Sequence, residues 1–179
     1  VSFHDDGSVV LYPMLAPSRR RERRMDLLQQ LEAQGGFASR RIVDLTPHEL
    51  EGRFLEGTGS LVLDHGDRVA YACLSPRTHA APLQEFCAEL GYEPCVFTAT
   101  DAAGRPVYHT NVVLSVGPSV VVVASENIVP ADRERVLARL ARPGREHDPR
   151  VPGQSLLTMQ AVVVDAVGRG PLGLAGAEH

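Results

Sequence analysis

The sequence predicts an α/β fold assembled from repeated ββαβ units. Two observations carry that reading. Short apolar runs with the composition of strands alternate with segments of helical periodicity, and the whole pattern recurs. Shifting each position by 51 residues lays Leu61-Val62-Leu63 over Val112-Val113-Leu114, Gly66 over Gly117, and Val69–Cys73 over Val120–Ala124. A unit of this size cannot bury its apolar face alone, so several must pack around a shared axis. Two and a half to three repeats imply a ring or barrel-like array whose other members lie outside this chain.

The elements follow in order. Ser8 to Leu15 reads as a strand punctuated by Pro13. Arg20 to Gln34 carries Met25, Leu27, Leu28 and Leu31 at helical spacing until Gly35-Gly36 stops it. Arg41 to Leu45 is a short strand, which leaves the first unit without part of its hairpin. Ser60–Asp64 and Arg68–Leu74 form a hairpin through His65-Gly66-Asp67. A helix from Thr78 to Leu90 ends at Gly91, and a strand returns over Pro94–Ala99. Asp101–Pro106 is turn chemistry. Asn111–Val116 and Val120–Ala124 are strands around Gly117-Pro118, and the run Val120–Val123 is apolar enough to be covered on both faces. A helix over Pro130–Ala141 starts with proline at its first turn. Residues 1–144 form the domain. Residues 145–179 lose the periodicity, apart from a strand-like run at Leu156–Val167, and are expected to be a weakly ordered tail.

Composition narrows the function classes. With 179 residues, 44% of them hydrophobic, the chain can bury a core. A net charge of -4 leaves no footprint for nucleic acid. The basic cluster Arg19–Arg24, interrupted by Glu22, reads as a solvated helix face. No stretch approaches the roughly 20 apolar residues of a membrane span. The first residues, Val1-Ser2-Phe3-His4, are not signal-like, and the missing initiator Met suggests an internal piece of a longer protein. Cys73, Cys87 and Cys95 are odd in number and lack Cys-x-x-Cys spacing, which argues against disulfides and a zinc site and fits the cytoplasm. No metal or cofactor is expected, and the sequence leaves the oligomeric state open.

Polar residues stand out where repeats begin. Glu56 lies beside Gly57 and Gly59, just before an apolar strand, where backbone can approach a ligand closely. His109 opens the next repeat 53 residues later, near-equivalent to Glu56. A carboxylate and an imidazole meeting at a pseudo-symmetry axis suit acid/base work. Spacing alone favours the plainer alternative, a packed histidine and a surface glutamate.

Leu55-Glu56-Gly57-Thr58-Gly59-Ser60-Leu61-Val62-Leu63-Asp64 and Tyr108-His109-Thr110-Asn111-Val112 resemble motifs of the amidinotransferase and arginine deiminase superfamily, the penteins. Leu11–Pro17 and Tyr71–Thr78 resemble its bacterial citrulline-utilisation hydrolase branch more narrowly. The resemblance covers roughly Val1 to Arg145 and implies a partial pentein α/β propeller with a pseudo-fivefold axis. It also implies a hydrolase acting on the guanidino or ureido carbon of an arginine- or citrulline-like amino acid. A cysteine thiolate attacks that carbon, and a histidine protonates the leaving amine and then activates water. By motif, His109 is the acid/base and Glu56 the carboxylate. Arginine deiminases carry an aspartate two residues after this histidine. Here the residue is Asn111, whose amide can both donate to and accept from a neutral ureido group. That makes Asn111 a substrate-binding candidate and favours citrulline. None of the three cysteines sits in a matching motif, so the nucleophile is expected outside this chain, and this piece alone is expected to be inactive. A non-catalytic pentein binding module and an amidinotransferase are the alternatives.

Overall fold

A computed structural model describes residues 1–35, 38–117, 120–141 and 160–163. Three small sheets share one topology. The first holds β1 (Ser2–Phe3), β2 (Ser8–Leu11) and β3 (Arg41–Asp44). The second holds β4 (Val62–Asp64), β5 (Val69–Cys73) and β6 (Glu93–Phe97). The third holds β7 (Leu114–Val116), β8 (Val120–Val123) and β9 (Gln160–Val163). In each, the first pair is antiparallel and the second parallel. The parallel step needs a crossover. In the first two units it runs through α2 (Met25–Ala33) and α3 (Ala80–Leu90), and in the third α4 (Pro130–Leu140) lies between β8 and β9. The repeat read from the sequence is therefore a repeat of structure.

Several local expectations change. The first unit has its hairpin, because Ser2 and Phe3 pair with Val10 and Val9. The helix expected over Arg20–Gln34 is two pieces, α1 (Pro17–Arg20) and α2. The turn between them lets Arg20 donate to the Met14 carbonyl at 3.0 Å and Arg23 to the Tyr12 carbonyl at 3.0 Å. Both guanidiniums also pair with Glu49, so this part of the basic cluster is bonded inward rather than solvated. These charge-assisted bonds offset the interrupted helix. Of the apolar residues on α2 only Leu28 is buried; Leu27 and Leu31 are exposed. The strand expected from Asn111 begins at Leu114, because Thr110–Val112 forms a turn of 3₁₀ helix. On β8 only one face is covered: Val121 and Val123 are buried, whereas Val122 is 38% exposed. Most of the expected tail lies outside the described residues. Its apolar run contributes β9, which pairs in parallel with β8.

Two cores result, and β5 belongs to both. Ala70 and Ala72 face a cluster with Val10, Tyr12, Leu45, Leu83 and Phe86 between the first and second units. Val69, Tyr71 and Cys73 point the other way, into Phe97, Leu114, Val121, Val123 and Val136. Alternate side chains of a strand point to opposite faces, so a strand of small and β-branched residues can serve two neighbours. Helix α3 buries Leu83, Phe86, Cys87 and Leu90, and Gly91 closes it in the left-handed conformation at φ 69°.

Candidate active site

Glu56 sits where the three units meet. Its loop leaves the first unit by a bond from the Leu55 amide to the Pro13 carbonyl at 3.0 Å. Gly57, at φ 58°, then turns the chain against the Tyr12 ring, where a Cβ would come within 3.3 Å. The Glu56 side chain is 0% exposed, which excludes the solvated alternative. A buried carboxylate needs partners. Oε1 accepts the Leu15 amide at 3.1 Å, from the first unit. Oε2 accepts from His109 Nε2 at 3.0 Å, from the third, and from Arg77 Nη1 at 3.4 Å, from the second.

The His109 side chain is 16% exposed. Gly59 lies flat against its ring: a Cβ there would stand 3.0 Å from Cε1, Nδ1 and Nε2 alike. Tyr108 meets the ring edge-on at a centroid distance of 4.8 Å. The carboxylate can only accept, so Nε2 carries a proton toward it, and Nδ1 is the nitrogen left to exchange one. Asn111 is exposed and lines a cleft of about 310 Å³ together with Tyr12, Gly57, Thr58, Leu63 and Leu114. It stands next to the pair rather than in it, its backbone N–H donating to the Gly59 carbonyl at 3.3 Å.

Arg77 was not a candidate from sequence. Its guanidinium is 36% exposed, pairs with Glu56 and lies over the Tyr108 ring at 5.0 Å. A signal existed: Arg77 is the single basic residue in the Leu74–Thr78 turn that follows an apolar strand. The cysteines lie elsewhere. All three are buried, and burial pushes the thiols of Cys73 and Cys87 up to about 11. None has the depressed pKa of a nucleophile. Among the described residues, no cluster of three or more His, Cys, Asp or Glu side chains is placed to hold a metal ion. Among the same residues, no helix is long and apolar enough to cross a membrane.

No curated protein matches the chain in sequence. Solved structures share its fold. The apo form of ArgZ, an arginine dihydrolase from the ornithine-ammonia cycle in cyanobacteria, superimposes with a TM-score of 0.58 at 14% identity. That match covers 89% of this chain and 21% of that one. A mutant of the ArgZ N-terminal domain bound to substrate gives 0.58 at 15% identity, covering 89% of this chain and 49% of the domain. A mutant of AgrE in a binary complex with L-arginine gives 0.58 at 16%, covering 88% and 20%. The chain thus spans about half of the ArgZ domain and about a fifth of the longer proteins. Residues 1–147 match the family described as N,N dimethylarginine dimethylhydrolase, eukaryotic. That match spans most of the chain and all three residues of the sequence-derived site. The chain belongs to this dimethylarginine dimethylhydrolase family of the pentein, or amidinotransferase, superfamily.

Proposed function

We propose that this fold serves a hydrolase that cleaves a carbon–nitrogen bond at the guanidino carbon of an arginine-like amino acid, in a propeller of five such units. The observation that carries the reading is the buried Glu56–His109 pair at 3.0 Å, whose near neighbours in sequence, Gly57 and Asn111, line a cleft. His109 is the acid/base, Glu56 fixes its ring and its protonated nitrogen, and Asn111 contacts the substrate. In the first half-reaction a thiolate bonds to the central carbon, the carbon–nitrogen bond breaks, and His109 gives its proton to the departing amine. In the second, water attacks that carbon, His109 takes the water's proton, and the carbon–sulfur bond breaks to release the thiolate. A guanidine thereby becomes a ureido group plus an amine, without cofactor or metal. The thiol comes from outside Cys73, Cys87 and Cys95, so this piece alone binds without turning over. The working compartment is the cytoplasm, where free thiols persist.

Family and fold relatives favour an N-methylated or unmodified arginine as substrate. Asn111 favours a second reading, a neutral ureido compound such as citrulline, because an amide supplies both a donor and an acceptor. The test is a titration of the ¹⁵N-labelled chain with dimethylarginine, arginine and citrulline. Expected are shifts at His109 and Asn111 with the guanidino ligands, lost in Glu56→Gln. In a longer form carrying a cysteine in a later repeat, His109→Gln should lower kcat by about 10²–10⁴-fold. Turnover unaffected by His109→Gln would reject the assignment.

A further inference from the structure

Glu56 and His109 come from segments 53 residues apart and must hold one hydrogen bond. What holds the segments is a pair of buried hydroxyls. Ser60 Oγ accepts the Glu56 amide at 2.8 Å and the Thr78 hydroxyl at 2.8 Å, and donates to the Arg77 carbonyl at 2.9 Å. That uses its single proton and both lone pairs. Thr110 Oγ1 accepts the Cys73 amide at 2.8 Å and donates to the Ser60 carbonyl at 2.6 Å. One residue on, the Asn111 amide donates to the Gly59 carbonyl at 3.3 Å. Consecutive carbonyls of the Glu56 loop thus receive consecutive groups of the His109 segment. Ser60 and Thr110 are 0% exposed, so both hydroxyls are bonded within the protein and away from bulk solvent.

We infer that Ser60 and Thr110 are positioning residues, whose hydroxyls lock the Glu56 loop and the His109 segment into one frame and so set the carboxylate–imidazole bond. Ser60 acts on both sides: its hydroxyl holds the backbone of Glu56, and its carbonyl anchors the residue next to His109. Gly59 supplies the flat floor beneath the ring. The inference deepens the reading of the site given above and rests on it for its importance, but not for its test.

The test is a two-bond ¹H–¹⁵N spectrum of the intact 179-residue chain, with the His109 signals assigned by their loss in His109→Gln. The wild type should show one tautomer, protonated at Nε2. Thr110→Val keeps the side-chain shape and removes the hydroxyl; it should replace that signature with an exchange-averaged one, and Thr110→Ser should restore it. A merely structural threonine would lower Tm and leave the His109 pattern unchanged, and that result overturns the inference. Should Thr110→Val not fold, Ser60→Ala is read by the same criterion. Failure of a longer, cysteine-bearing form to hydrolyse guanidino compounds would reject the proposed function without altering this spectrum, so the two failures are distinguishable.

Discussion

At single residues, burial decides which groups are available for chemistry. It pushes the thiols of Cys73 and Cys87 up to about 11, and it raises that of Cys95 although Arg135 and Arg139 work in the opposite direction. At pH 8 a thiol titrating at 11 is ionised in only about one molecule in a thousand. The folded chain should therefore react with a thiol reagent far more slowly than the same chain in denaturant, where all three cysteines should label within minutes. Fast labelling of any cysteine in the native state would mark it as a nucleophile after all. The sequence already placed these cysteines in apolar strands and on a buried helix face. It also brought Glu56 and His109 forward as near-equivalents in adjacent repeats. It could not show the surroundings of the pair. The amide of Leu15 and the guanidinium of Arg77 reach Glu56 from other units, and no local pattern encodes a contact across 41 or 21 residues.

Among the elements, the hinge between α1 and α2 depends on Glu49. Its carboxylate loses solvation on burial, but hydrogen bonds from Arg23 and the Met14 amide, with the Arg20 charge, more than compensate and hold it below the ordinary glutamate value of 4.5. A carboxyl lowered by folding adds stability above its unfolded value, and that stability is lost as pH falls through the lowered one. Glu49→Gln should cost about 2 kcal/mol at pH 7, since it removes hydrogen bonds to a charged group. The gap between mutant and wild type should narrow below pH 4.5 in urea titrations. A gap independent of pH would show that Glu49 acts by shape alone. The same network explains why a continuous helix was the wrong expectation for Arg20–Gln34. Helical spacing of Met25, Leu28 and Leu31 identified α2, but the arginines before it are spent on Glu49, 26 residues from Arg23 in sequence. The 3₁₀ turn at Thr110–Val112 has the same origin: Thr110 leaves extended geometry to reach Cys73 and Ser60, so a β-branched run that reads as strand starts late.

For the whole molecule, the architecture was legible because it repeats. A shift of 51 residues read from apolar runs reappears as three sheets with the same strand order and the same pairing senses. The two cores are joined by β5, with Ala70 and Ala72 in one and Val69, Tyr71 and Cys73 in the other. Neither core can melt without disturbing that strand, so the described units should unfold together. Fluorine-labelled phenylalanine gives one reporter in each core, Phe86 in the first and Phe97 in the second. Their urea midpoints should coincide; midpoints separated by more than the fitting error would mean independent units.

The hydroxyl bracket has a bearing on biosynthesis. Thr110 and His109 leave the ribosome only after the whole of the second unit, β4 through β6, has been made. Until the third unit docks, the Glu56 carboxylate has no imidazole beside it. A nascent or half-folded chain therefore lacks the Glu56–His109 pair, which forms only when the third unit docks.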